Sequence, residues 1–163
     1  MRFFFDTEFH EDKHGVELIS LAFVKENGEE YYAINKDYDQ NRSSQWLKSN
    51  VIPRLELVKT EGLLYKTLST IKQDLIDFCH DMDEVWGFCA TYDWFLVSRI
   101  MGGMMQKPAE WPFQAFDIQQ ALHEKNMWMN QLPPYHSNFT HNALHDARWT
   151  KNAYNVIYPT QGQ

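Results

Sequence analysis

The chain opens on three consecutive aromatics, Phe3-Phe4-Phe5, that run straight into Asp6-Thr7-Glu8-Phe9. This pattern predicts a buried strand over Arg2 to Thr7. Strand side chains alternate between faces, so Asp6 and Glu8 fall on the same one. His14 and Gly15 mark a turn, with the acidic stretch His10 to Lys13 leading into it. A second strand is expected over Val16 to Val24, where Leu18-Ile19-Ser20-Leu21-Ala22-Phe23-Val24 is apolar on both faces, as in a strand covered from both sides. Asn27-Gly28 is a two-residue hairpin signal, and a third strand follows over Glu29 to Ile34. Ser43 or Ser44 can cap a short helix through Asn50 that Pro53 ends. Residues 54–66 show no clear period and read as a surface connection.

From Thr67 the period changes. Leu68, Ile71, Leu75 and Phe78 recur at helical spacing, which predicts an amphipathic helix over Thr67–His80. A fourth strand is expected at Glu84 to Cys89, then a helix from Tyr92 to Met101 stopped by Gly102-Gly103. Residues 104–114 read as a loop, and Phe113 to Phe116 as a short fifth strand. Asp117 can cap a helix to Trp128, and residues 130–140, with Pro133-Pro134, form a loop. The last helix runs from Asn142 to Ile157 with Ala143, Ala147, Thr150, Tyr154 and Ile157 on one face, before a frayed end at Pro159 and Gly162. No internal repeat is present. The fold class is therefore α/β: a mixed five-stranded sheet, three antiparallel strands followed by parallel ones, flanked by helices. This layout resembles a ribonuclease H-like domain, and residues 1–163 are expected to form one such domain.

The 163 residues contain six Trp, and aromatics make up 15% of them, far too much buryable surface for a disordered chain. The formal net charge of −7 argues against tight non-specific binding to duplex nucleic acid. It does not exclude a nucleic-acid substrate, because carboxylates that hold metal ions inflate the acidic count and the bound ions reverse the local sign. Cys79 and Cys89 form no CxxC pair, and both sit in apolar runs, so both are expected as small core residues. No apolar stretch is long enough for a signal peptide or a membrane span, and a cytoplasmic protein is the default expectation.

The acids carry the chemistry. Two carboxylates on one face at a strand end repel each other unless something positive lies between them, and a divalent metal answers that need. The bland alternative is a strand running into an acidic turn. Asp93, in Ala90-Thr91-Tyr92-Asp93-Trp94, falls in the first turn of the helix after strand 4, where the helix dipole favours a carboxylate. It can equally be a simple cap. Asp146 lies inside the last helix and borders its apolar face, so it needs a partner: a metal, or Arg148 or Lys151. His141 precedes Asp146 by five positions, where loop gives way to helix, and a histidine there can take a proton from an attacking water. His145 is its competitor, but its place next to Asp146 in the helix points it to a different side.

These pieces together resemble the DEDDh 3′-5′ exonuclease family: Asp-x-Glu on the first strand (Asp6, Glu8), Asp93 after strand 4, and His-x-x-x-x-Asp near the C-terminus (His141, Asp146). The stretches Phe5-Asp6-Thr7-Glu8-Phe9, Glu17-Leu18-Ile19-Ser20, Glu30-Tyr31-Tyr32-Ala33, Ala90-Thr91-Tyr92-Asp93 and His141-Asn142-Ala143-Leu144-His145-Asp146-Ala147-Arg148 are similar to the ribonuclease AS group, polyadenylate-specific exoribonucleases of bacteria and phages. The likeness covers nearly the whole chain and is weakest over residues 35–66 and 104–135. It implies a two-metal hydrolysis with Mg²⁺, for which Mn²⁺ can substitute. Asp6 would bridge both ions, Glu8 and Asp146 would complete one site, and Asp93 would serve the other. His141 would be the general base. The implied substrate is the 3′ end of single-stranded RNA, released as nucleoside 5′-monophosphates. The implied assembly is a homodimer, for which the loop Met101–Trp111 is an expected interface.

Substrate contacts are expected from Glu8 and the backbone at Thr7–Phe9, which can meet the terminal sugar. Phe9, Tyr92 and Trp94 can stack on bases or can be core residues. Arg148 and Arg99 can contact phosphates, and Arg148 can equally pair with Asp146 or face solvent. Three other readings stand beside this one: a 3′-5′ DNA exonuclease of the same fold, a catalytically inactive domain used for nucleic-acid binding or assembly, and a metal-binding structural protein. The last would concentrate its acids in one loop, whereas these are scattered along the chain.

Overall fold

The structure, a computed structural model, describes residues 1–58, 63–135 and 140–159. Parts of two expected loops, 59–62 and 136–139, and the expected end at Gly162 lie outside the described residues. The expected β-first mixed sheet is present. Strand β1 is Arg2–Asp12, β2 is Gly15–Lys25, β3 is Glu30–Asn35, β4 is Tyr65–Lys66, β5 is Glu84–Gly87 and β6 is Phe116–Asp117. Their order across the sheet is β4-β3-β2-β1-β5-β6. The first three strands pair antiparallel, and β4, β5 and β6 each join a neighbour in parallel.

The sheet has six strands instead of five. The extra one, β4, is only two residues long and holds to β3 through Ile34↔Tyr65 and Asn35↔Lys66. A two-residue strand offers no period to read. The first strand also runs five residues past its expected end, because His10 to Asp12 continue the ladder against Gly15 to Glu17 instead of turning. The last strand falls at Phe116–Asp117 instead of 113–116, where it pairs with Trp86 and Gly87.

Among the described residues five α-helices flank the sheet: α1 Gln45–Asn50, α2 Leu68–Phe78, α3 Thr91–Met101, α4 Ile118–Glu124 and α5 Ala143–Ile157. Ser44, Thr67, Asp117 and Asn142 cap four of them, each accepting from a backbone N–H inside its helix. Helix α4 ends four residues earlier than expected, since Asn126 adopts a left-handed conformation (φ 52°) and turns the chain away.

The alternation of β1 sorts the core into two layers. Phe4 points into a layer with Leu47 of α1, Ile118 and Leu122 of α4, and Ala143, Leu144 and Tyr154 of α5. Phe3 and Phe5 point the other way, against Ile71 and Leu75 of α2 and Trp94 and Val97 of α3. Each of these fully buried Phe side chains contributes about 1.5–3 kcal/mol of transfer free energy. Cys79 is buried in the second layer as expected, but Cys89 is exposed. It sits at φ 58° in the turn between β5 and α3, and that backbone turns its side chain out of the apolar run. Gly87 makes this turn tight: a Cβ there would lie 2.6 Å from Ala90 Cβ and 2.9 Å from Phe5 Cε1. Its lack of a side chain lets β5 pass close under the start of α3. Among the described residues no helix is long and apolar enough to cross a membrane.

Candidate active site

The alternation that puts Phe4 in the α5 layer puts Asp6 and Glu8 on the same face, in the middle of the long strand β1. Asp146 lies in the first turn of α5. One carboxylate oxygen from each of Asp6, Glu8 and Asp146 lies within 4.8 Å of the others. Asp93 comes from the opposite layer, in the first turn of α3. Thr7 faces that way, and both its N–H (2.9 Å) and its hydroxyl (2.5 Å) donate to Asp93 Oδ1. The four acids and His141 line one cleft of about 300 Å³, with Phe9, Tyr92 and Cys89 in its wall.

The electrostatics are those of a buried acidic cluster that the charge of Arg54 offsets only in part. Burial holds the Asp6 carboxyl well above the usual range, and Asp93, Asp146 and Glu8 add to the effect. Glu8 is raised in the same way by burial, Asp146 and Asp93. Burial also pushes Asp93 up to about 6 against the two hydrogen bonds from Thr7. Asp146 is pushed up to about 6 by burial as well, against hydrogen bonds from the Tyr135 hydroxyl and from the backbone at His141 and Asn142. Among the described residues none of the four acids forms a salt bridge. The expected alternatives for Asp146 are engaged elsewhere. Arg148 makes two 2.6 Å bonds to Glu30, and Lys151 Nζ donates to the Lys25 carbonyl. Oxygen donors this close, this buried and this short of positive charge fit a hard divalent cation.

His141 stands at the mouth of α5 in a left-handed conformation (φ 64°), and its N–H donates to Asp146 Oδ2 at 2.9 Å. Burial, with the positive charge of Arg54, holds its imidazole below the usual histidine range. It is therefore neutral near pH 7 and able to accept a proton. His145 lines a different pocket, beside Pro133, Arg148 and Trp149. His145→Ala is accordingly expected to leave turnover near wild type. A loss as deep as that of His141→Ala in a turnover assay would show the roles to be reversed.

The aromatic expectations divide. Phe9 and Tyr92 stack on each other (centroids 5.5 Å apart, planes at 15°), and Tyr92 keeps 46% of its surface exposed. Trp94 does not reach the cleft. One helical step of about 100° from Asp93 turns it into the core, where it packs on Phe5 and Trp111 and donates to the Phe113 carbonyl. Neither expected phosphate contact faces the cleft: Arg148 is held by Glu30, and Arg99 donates to the Val16 carbonyl. Of the stretch Met101–Trp111, both ends are buried, and Met104 and Met105 are large hydrophobics between them that stand exposed.

The sequence reading missed Arg54 and Tyr135. Arg54 is a cation whose charge lowers Glu8 and Asp146, and Tyr135 bonds Asp146 through its hydroxyl. Both lie in segments without periodicity, and the only local signals are the neighbouring Pro53 and Pro133-Pro134.

Residues 1–158 match the family described as the 3′-5′ exoribonuclease Rv2179c-like domain. The chain is also similar to two Mycobacterium tuberculosis proteins, 3′-5′ exoribonuclease Rv2179c of strain H37Rv and 3′-5′ exoribonuclease MT2234.1 of strain CDC 1551. Each is 32% identical over 164 aligned residues, spanning 98% of this chain and 95% of the relative.

Proposed function

The chain belongs to the Rv2179c-like 3′-5′ exoribonucleases, and from that premise we propose that it is a DEDDh enzyme of the ribonuclease AS type that shortens single-stranded RNA with the help of two divalent cations. The observation that carries this reading is the trio of carboxylate oxygens from Asp6, Glu8 and Asp146 within 4.8 Å of one another.

Asp6, Glu8, Asp93 and Asp146 would hold the ions, Mg²⁺ with Mn²⁺ as a substitute. When bound, the ions lower the pKa of the attacking water and offset charge on the leaving oxygen. The neutral imidazole of His141 takes the proton of that water on its free ring nitrogen. The water oxygen bonds to the terminal phosphorus as the bond from phosphorus to the 3′ oxygen of the preceding nucleotide breaks. That oxygen leaves with the bonding pair and takes a proton from solvent water to become the new 3′ hydroxyl, and a nucleoside 5′-monophosphate departs. Thr7 fixes Asp93 through two hydrogen bonds, so this acid keeps its place as substrate enters. The open face of Tyr92 in the Phe9–Tyr92 stack receives a base, a contact of about 1–3 kcal/mol that tolerates sequence. Glu8 and the backbone at Thr7–Phe9 meet the terminal sugar. The active assembly is a homodimer, with the exposed Phe95, Met104, Met105 and Phe113 forming its contact face.

The test is digestion of 5′-labelled oligo(A), mixed-sequence RNA and matched DNA in Mg²⁺, Mn²⁺ or chelator. A metal-dependent ladder from the 3′ end of RNA, fastest on oligo(A), is expected, with no products in chelator. Equal cleavage of DNA would overturn the ribonuclease AS reading, and full activity in chelator would overturn the metal reading.

A further inference from the structure

Nothing in the backbone alone fixes the ring of His141. Its N–H is tied to Asp146 Oδ2, but the imidazole still has to be aimed. Among the described residues, the ring contact it makes is with Trp46 of α1: centroids 4.9 Å apart, planes at 79°. Trp46 is 54% exposed, so core packing does not account for a tryptophan at this place.

The segment that presents Trp46 is fastened on both sides of that contact. Ser44 caps α1 by accepting from the Leu47 N–H, and Leu47 and Val51 are buried. Farther along, Asn142, the residue directly after His141, donates from Nδ2 to the Arg54 carbonyl (2.8 Å) and to the Tyr32 hydroxyl (3.3 Å). The Tyr32 hydroxyl in turn donates to the Leu55 carbonyl at 2.8 Å. The loop that carries His141 and the segment that carries Trp46 are thus bound to each other next to the contact of the two rings.

We propose that Trp46 is a positioning residue that holds the His141 imidazole at the carboxylate cleft. The proposal rests on the reading of His141 as the general base. A ring that swings free spends less time where it can accept the proton, and small misplacements of a catalytic group are costly. Removal of Trp46 therefore acts on the chemical step and not on RNA binding.

The experiment is a double-mutant cycle on oligo(A) in saturating Mg²⁺, with kcat and KM measured separately and thermal melts recorded. Trp46→Ala is expected to lower kcat about ten- to hundredfold, with KM and the melting temperature unchanged. Trp46→Phe restores most of the rate, and Trp46→Leu, which keeps bulk without a ring, does not. In the His141→Ala background, Trp46→Ala costs nothing further. Additive losses, a rise in KM alone (the mark of a base-stacking platform), or wild-type kcat in Trp46→Ala or Trp46→Leu would each overturn the proposal and leave the general-base reading standing. Wild-type kcat in His141→Ala would instead overturn that reading, and the proposal with it.

Discussion

Asp146→Ala is expected to abolish turnover while leaving the chain folded. Asp146 is 8% exposed and joins two functions: its carboxylate completes the trio with Asp6 and Glu8, and Oδ2 accepts the His141 N–H. The substitution removes a metal ligand and releases the histidine backbone together. Loss of several kcal/mol of transition-state stabilisation corresponds to a rate decrease of about a thousandfold or more. The fold should tolerate the change. The folded-state pKa of Asp146, about 6, lies above its ordinary value, so the ionised form costs stability once the pH rises through that window. Removing the acid removes that cost and relieves repulsion on Asp6 and Glu8. Turnover on oligo(A) and a thermal melt in metal-free buffer check both halves. Retained activity in Mg²⁺ would remove Asp146 from the site.

His141→Ala is expected to lower kcat by about 10²–10⁴, the usual contribution of a positioned general base, with little change in metal affinity. The imidazole lies in the cleft with the acids, but its structural tie to them is a backbone N–H, which alanine keeps. Mn²⁺ titration by calorimetry separates the two roles. Equal losses in turnover and in Mn²⁺ affinity would make His141 a ligand. The sign of the pH effect follows from its lowered pKa: the base stays unprotonated to a lower pH than an ordinary histidine. The acid limb of the kcat profile in saturating metal therefore falls below the usual histidine range, and His141→Ala removes that limb.

Much of this was legible because two strong periodicities converge on it. The two-residue alternation of β1 puts Asp6 and Glu8 on one face, and helical spacing puts Asp146 at the edge of an apolar stripe. Misses occur where position depends on contacts from elsewhere in the chain. Trp94 adjoins a candidate ligand in sequence, yet a helical step carries it into the core. Cys89 ends an apolar run, yet its left-handed backbone leaves it exposed. Strand β4 exists because β3 offers it an edge, and its own two residues do not announce it. Arg54 and Tyr135 approach the site from segments without periodicity, and Trp46 from a helix too short to mark a face, so only the folded chain reveals them.

The two-layer build of the core sets a tolerance on how this sequence can drift. Asp146 reaches β1 from one face of the sheet and Asp93 from the other, so their separation is a measure of layer thickness. That thickness is set by pairs such as Phe4–Tyr154 (5.3 Å) on one side and Phe5–Trp94 (5.6 Å) on the other. Close-packed interiors transmit a change of a single methylene, while volume-conserving swaps cost stability little. An interior substitution that still folds, but swells or thins a layer by a fraction of an ångström, is therefore expected to cost turnover before it costs stability.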